Sequence, residues 1–242
     1  MATSDREPLL AQLDVAILCG GLGTRLRSVV HDRSKVVAEV GGAPFLSFVL
    51  RDLRAAGLRR AILCTGYQAD SVRAALGSAY EGLALEYSQE QSPLGTGGAL
   101  AQAAQRVTGA LLLAMNGDSR CAVDYGAMLA QHLKSGAAAT IAVCEVADAA
   151  AFGKVALDAD QRVRRFAEKG ASGPGFVNAG IYLLPTAWLR EIQSGQPVSL
   201  ERELLPAWLG RQVGAFIVPG PLLDIGTPES YAQARARAAS AS

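Results

Sequence analysis

The chain has little of most things that would place it in a specialised class. No apolar run approaches the roughly 20 residues that a membrane-spanning helix needs, so no membrane partner is expected. Lys and Arg number 23 against 22 Asp and Glu, and a net charge of +1 makes no electrostatic case for a nucleic-acid partner. Only four cysteines occur, Cys19, Cys64, Cys121 and Cys144, with no Cys-x-x-Cys pair, and the two histidines, His31 and His132, lie far from them in sequence. That scatter argues against a zinc site and for buried free thiols in a reducing compartment. The first dozen residues carry Asp5, Arg6 and Glu7 and lack an apolar stretch of signal-peptide length. The expectation is a soluble, cytoplasmic protein whose residues 1–12 are flexible. Internal repeats are missing as well, and with them any hexapeptide array of a left-handed β-helix.

What is present is a large apolar fraction, 50% of 242 residues, enough for the core of one α/β domain. The chain is organised around Val15-Ala16-Ile17-Leu18-Cys19-Gly20-Gly21-Leu22-Gly23-Thr24-Arg25-Leu26, followed after a polar link by Lys35. An apolar run suited to a buried parallel strand breaks into a glycine-rich loop. Glycine lets the backbone approach a polyphosphate and aim its N–H groups inward, and an arginine and a lysine supply the remaining positive charge. A tight strand-to-helix turn is the plainer use of such glycines.

Further along, strands and helices alternate. Helices are expected at Pro44–Ala56, Ala69–Leu76 and Asp124–Lys134, and strands at Arg60–Thr65, Leu83–Ser88, Ala110–Met115 and Thr140–Val146. Such alternation predicts a parallel sheet covered on both faces, with ligands at the carboxyl ends of its strands. Asp118 follows the most apolar strand, where a carboxylate is badly placed for stability and well placed for a metal ion. Phe152 to Phe166 suggests short antiparallel strands, in which Arg162, Arg164 and Arg165 form a solvated face. Later come a helix at Ser199–Leu205 with Glu201 and Glu203 in its first turn, a strand at Val213–Val218, and a final helix from Pro228 to Ala238, capped by Thr227. Residues 239–242 are expected to fray.

Gly20 to Leu26 with Lys35 resembles the signature of the sugar-phosphate nucleotidyltransferases, the NDP-sugar pyrophosphorylases. Within that family the wording is most similar to D-glycero-α-D-manno-heptose 1-phosphate guanylyltransferases and next to mannose-1-phosphate guanylyltransferases. Cys19 replaces the usual alanine and Val36 the usual proline, and neither change removes a charge. The resemblance spans roughly Val15 to Tyr231 and implies a Rossmann-like mixed, mainly parallel α/β sheet with helices on both faces. It also implies a single domain over residues 13–238, with a nucleotide half to about 135 and a sugar half beyond. No acyltransferase of the β-helix type is expected with it.

The roles it implies are these. Cys19, Gly20, Gly21, Gly23, Thr24 and Arg25 hold phosphates of a nucleoside triphosphate. Gln89 or Glu90, with Leu94, Gly95, Thr96 and Gly97 ahead of a helix at Ala99–Val107, contact the base, GTP being favoured. Asn116 and Gly117 complete the nucleotide site, and Asp118 and Asp224 bind Mg²⁺. Gly153, Glu168, Lys169, Asn178 and Ala179 meet the sugar of a sugar 1-phosphate. Arg25, Lys35 and Asp118 carry the catalysis, by positioning and charge neutralisation. The oligomeric state stays open, a homo-oligomer included.

Two other readings compete. A nicotinamide-dependent oxidoreductase would use Gly21-Leu22-Gly23 with Glu39, but Leu26 stands where that fingerprint needs its third glycine. A non-catalytic sugar-nucleotide sensor would not need both Asp118 and Asp224.

Overall fold

Strand propensity and burial decide the centre of the molecule. In the computed structural model, which describes residues 9–150, 152–167, 170 and 172–240, the main strands are β1 (Asp14–Leu18), β2 (Arg60–Thr65), β3 (Leu83–Gln89), β4 (Leu111–Asn116), β5 (Ala139–Val146), β6 (Lys154–Leu157), β7 (Val163–Phe166), β8 (Gly175–Pro185) and β9 (Val213–Val218). The helices are α1 (Phe45–Ala55), α2 (Ala69–Leu76), α3 (Gly95–Ala104), α4 (Tyr125–Ser135), α5 (Thr186–Arg190), α6 (Leu205–Trp208) and α7 (Pro228–Ser240). The strands form one mixed, mainly parallel sheet in the order β7-β6-β8-β4-β1-β2-β3, edged by a short strand at Ala79–Tyr80. β5 pairs with β8 and runs parallel to β9.

Successive residues of the central strands face opposite ways, as the pleat requires. Val15, Ile17, Leu63, Leu113 and Met115 pack with α1, α2, α4 and α7. Ala16, Ile62, Cys64, Leu112 and Ala114 pack with α3, α5 and α6. These strands therefore read as unbroken apolar runs, because helices cover both faces. Among the described residues no helix is long and apolar enough to cross a membrane.

Several boundaries differ from expectation. Of the segment expected to be flexible, residues 1–8 lie outside the described residues, while 9–12 form a helical turn that seats Leu10 in the core. α3 begins at Gly95, four residues before the expected Ala99, because the loop glycines themselves adopt the helix. Leu200–Leu204 is a π-helical turn running into α6, where an ordinary helix is expected. α7 continues to Ser240, past the expected Ala238 and into the segment expected to fray.

Two devices place the site. Register aligns Leu18 of β1 with Cys64 on one side and Asn116 on the other, so the segments after β1, β2 and β4 meet at one edge. A two-residue antiparallel ladder then pairs Ser119–Arg120 with Leu223–Asp224, setting Asp224 opposite Ser119, and the Ile225 N–H donates to the Asp118 carbonyl at 3.0 Å. Residues about a hundred positions apart are thereby neighbours.

Candidate active site

The glycine loop leaves β1 with its backbone tied on both sides. The Cys19 N–H donates to the Cys64 carbonyl at 2.8 Å, and the Gly117 N–H to the Leu18 carbonyl at 3.0 Å. Gly20 passes so close to β2's end that a Cβ there would lie 3.1 Å from the Gly66 nitrogen and from Glu90 Oε1. Lys35, at the start of a 3₁₀ turn (Lys35–Val37), lies along the loop: its Nζ is 3.7 Å from where a Gly21 Cβ would sit, and its aliphatic stem runs under Gly23. Its ammonium is ion-paired with Asp118 Oδ2. Loop, lysine and aspartate thus form one unit at the carboxyl ends of β1 and β4.

Asp224 joins them. Burial raises its pKa above the usual carboxylate range and the Asp118 charge raises it further, while the Gly226 N–H, Lys35 and Arg25 oppose the rise. Two carboxylates sharing a partly buried space repel, and the Lys35 charge, paired with Asp118, offsets part of that repulsion at Asp224. Among the described residues no group of three or more His, Cys, Asp or Glu side chains is placed to hold a metal. An oxygen-only pair of this kind suits a hard divalent cation that takes its remaining ligands from substrate phosphates.

One cavity is lined by Gly20, Gly21, Lys35, Gly95, Thr96, Asn116 and Asp118, together with Glu90, Pro93 and Glu201. Arg25 lies elsewhere, lining a second cavity with Asp224, Phe152, Thr227 and Ser230. Thr24 is exposed in the turn between them. Cys19 is buried, and burial above all pushes its thiol pKa well up. The thiol packs against Gly117.

The base-side residues divide. Leu94 and Gly97 are buried, and the Gly97 N–H, expected near a base, donates to the Val198 carbonyl at 2.9 Å. A Cβ at Gly95, where φ is +69°, would sit 2.6 Å from that same carbonyl oxygen. These glycines therefore serve a close approach of the 196–204 segment. Gln89 points to solvent, whereas Glu90 turns into the cavity and its Oε2 accepts the Leu94 N–H at 3.0 Å.

On the sugar side, Asn178 sits at an irregularity in the β8–β5 pairing, its Oδ1 accepting the Gly180 N–H and its Nδ2 donating to the Tyr182 hydroxyl, both at 2.9 Å. Ala179 packs into the core. Gly153 closes the turn next to Phe152, its N–H donating to the Ala149 carbonyl at 3.2 Å. Glu168 and Lys169 lie outside the described residues.

Sequence reasoning assigns no site role to Glu201 or Tyr182. The signal for Glu201 is its neighbour. Ser199 caps the π-turn by accepting the Arg202 N–H at 3.2 Å, and Glu203 reaches back to the Ser199 N–H at 2.7 Å. Glu203 is spent in a capping pair, which leaves Glu201 free to face the cavity.

The chain resembles known proteins over nearly its whole length. A family model described as nucleotidyl transferase matches residues 15–241. The chain is 34% identical over 224 residues to a D-glycero-alpha-D-manno-heptose 1-phosphate guanylyltransferase of Aneurinibacillus thermoaerophilus, covering 92% of this chain and 97% of that protein. It is also 34% identical over 230 residues to a mannose-1-phosphate guanylyltransferase of Mycobacterium tuberculosis, covering 93% of this chain and 64% of that one. Among solved structures, HddC from Yersinia pseudotuberculosis complexed with GMP-PN superposes with a TM-score of 0.84 at 32% identity, over 93% of this chain and 99% of that one.

Proposed function

The chain belongs to the nucleotidyl transferase family, and from that premise we propose that it is a sugar-1-phosphate guanylyltransferase. It joins GMP from GTP to a sugar 1-phosphate, D-glycero-α-D-manno-heptose 1-phosphate foremost, and releases pyrophosphate. The observation that carries this reading is the meeting of the Gly20–Gly23 loop, Lys35, Asp118 and Asp224 at one edge of the sheet. The relatives named as heptose and mannose 1-phosphate guanylyltransferases support the choice of substrates.

No protein nucleophile is required. A sugar phosphate oxygen attacks the α-phosphorus of GTP, and the bond to the leaving pyrophosphate breaks. Loop amides bind the β- and γ-phosphates, joined by Arg25 from the neighbouring cavity that it lines with Asp224, and Lys35 neutralises charge at the α-phosphate or the attacking sugar phosphate. Asp118 and Asp224 would hold Mg²⁺, which when bound would supply further neutralisation of phosphate charge. Within the one domain, residues 13–135 take the nucleotide and 136–238 the sugar, where Asn178, Gly153, Glu168 and Lys169 are the assigned contacts. A GTP-consuming enzyme whose four cysteines are all buried free thiols is suited to the cytoplasm.

Glu90 favours guanine. Guanine presents two adjacent donors, N1–H and the exocyclic amine, which one carboxylate accepts together. Uracil and thymine flank their single N–H with carbonyls that a carboxylate repels, and adenine offers an acceptor at the matching position.

A matrix of nucleoside triphosphates against sugar 1-phosphates with Mg²⁺, scored by product mass, tests the proposal. GTP with the manno-heptose 1-phosphate is expected to lead. Mannose 1-phosphate should retain partial activity, since one extra carbon at the far end of a sugar is typically worth only about 1–3 kcal/mol. Preference for UTP or dTTP, or for glucose 1-phosphate over both manno sugars, would overturn the substrate assignment.

A further inference from the structure

Residues 19–34, between β1 and the 3₁₀ turn at Lys35, are turn and coil, so their shape depends on what grips them. The turn that follows β2 does this at several points. A Cβ at Gly66 would lie 3.3 Å from the Gly20 carbonyl oxygen, at the start of the loop. In the middle, the Arg27 guanidinium lies over the Tyr67 ring, its Cζ 4.5 Å from the ring centroid. Gln68 Nε2 donates to the His31 carbonyl at 3.0 Å and to the Tyr67 hydroxyl at 3.3 Å. At the far end Ser71 Oγ accepts the Ser34 N–H at 2.9 Å and donates to the Gln68 carbonyl at 2.7 Å. Gln68 itself holds a left-handed φ of +54°, which a side chain other than glycine keeps only where its surroundings over-determine it.

Arg27 carries that grip to the glycines. Its Nε donates to the Leu22 carbonyl at 3.2 Å, and its backbone N–H to the Gly23 carbonyl at 3.1 Å. A planar trans peptide points its N–H opposite to its C=O. Holding the Leu22 carbonyl therefore fixes where the Gly23 N–H points, and holding the Gly23 carbonyl does the same for the Thr24 N–H. Gly23, at φ +60°, changes conformation at little steric cost, so these peptide planes turn easily unless something holds them. Leu22 lines the cavity with Lys35 and Asp118, and Arg27 acts on that cavity through it.

We propose that Tyr67 and Arg27 form a clasp that orients the phosphate loop for GTP. Tyr67 seats the guanidinium, and the guanidinium holds the Leu22 carbonyl so that the loop amides stay aimed at the triphosphate. This rests on the guanylyltransferase reading above. Both side chains are positioning residues. The clasp orders the loop before GTP arrives, so ordering entropy that binding would otherwise have to meet appears as affinity. The sugar 1-phosphate, which does not depend on these amides, is indifferent to the clasp.

Calorimetric titration of GTP into wild type, Tyr67→Leu, Tyr67→Phe, Arg27→Ala and the Tyr67→Leu/Arg27→Ala double variant tests this. Both side chains are exposed, so the variants leave the core intact. Tyr67→Leu removes no charge, yet it is expected to raise the Kd for GTP roughly 3- to 10-fold, the scale of a cation–π contact and a hydrogen bond lost together. Tyr67→Phe keeps the ring and should stay within about twofold of wild type. The double variant should lose no more than Arg27→Ala alone, because Tyr67 acts through Arg27. In turnover the KM for GTP should follow the Kd, while kcat and the KM for the sugar 1-phosphate hold within about twofold. Trypsin should also cut nucleotide-free Tyr67→Leu faster than wild type at Arg25, Arg27 or Arg33. Unaltered GTP affinity in Tyr67→Leu overturns the proposal, as do multiplying losses in the double variant. Wild type that binds no GTP overturns the guanylyltransferase reading instead; the trypsin comparison then decides the clasp, and equal cutting overturns it.

Discussion

Glu90 shows what a single position decides. Its pKa lies above the ordinary 4.5, raised by burial and partly opposed by the Leu94 N–H. A raised folded value favours the protonated form, so the stability tied to this group is present at low pH and is lost as pH rises through the raised pKa. The proposed guanine contact needs the opposite, ionised form. GTP affinity is therefore expected to weaken as pH falls through a point above 4.5, and the KM for GTP measured against pH should show that acid limb. Glu90→Gln should abolish the limb and cost roughly 10- to 100-fold in kcat/KM for GTP, the usual range for a hydrogen bond to a charged group. An unchanged limb in the variant would remove Glu90 from the base site. The sequence could not choose between Gln89 and Glu90: β3 ends at Gln89, and inward–outward alternation no longer applies to the next residue.

At the scale of elements, α3 and the segment that crosses it were the least legible part. Pro93-Leu94-Gly95-Thr96-Gly97-Gly98 has the composition of a loop, and glycine is a poor helix former, so local propensity argues against a helix here. Tertiary packing overrides it: Val198 donates its N–H to the Leu94 carbonyl at 2.9 Å and accepts from both Gly97, at 2.9 Å, and Gly98, at 3.3 Å. Any side chain at Gly97 would meet Leu204 Cδ1 at 2.5 Å. By contrast α2 was legible to the residue, because Ala69–Leu76 carries its own apolar spacing and a terminal Gly77. Gly95→Ala is expected to destabilise the protein by about 1–3 kcal/mol, since the new methyl group collides with a backbone carbonyl. Thermal unfolding measures it. A melting temperature unchanged within error would show that residues 196–204 move aside, and that the contact is not what shapes the cavity.

Across the whole molecule, the sequence placed Asp118 at the end of a central strand, because a charged residue after Leu111–Met115 has only the edge of the sheet to occupy. The partnership with Asp224 was legible only through family resemblance, since the ladder joining Ser119–Arg120 to Leu223–Asp224 is two residues long and carries no periodic pattern. The same sheet makes the two carboxylates unequal. Asp118 is compensated by Lys35, while Asp224 sits where burial and the Asp118 charge disfavour its ionised form. Asn at either position keeps the shape and deletes the charge, so each single change is expected to cost roughly 10²–10³ in turnover, as when one preorganised electrostatic group is lost. If both hold one ion, the double variant should lose far less than the product of the single losses. Stability should move in opposite directions. Asp224→Asn removes a carboxylate whose ionisation opposes folding at neutral pH, so its melting temperature should hold or rise. Asp118→Asn strips Lys35 of its ion-pair partner, so its melting temperature should fall. Calorimetry of the two metal-free variants at neutral pH reads this directly, and a fall of equal size in both would show that Asp224 is stabilised by its neighbours and not strained by them.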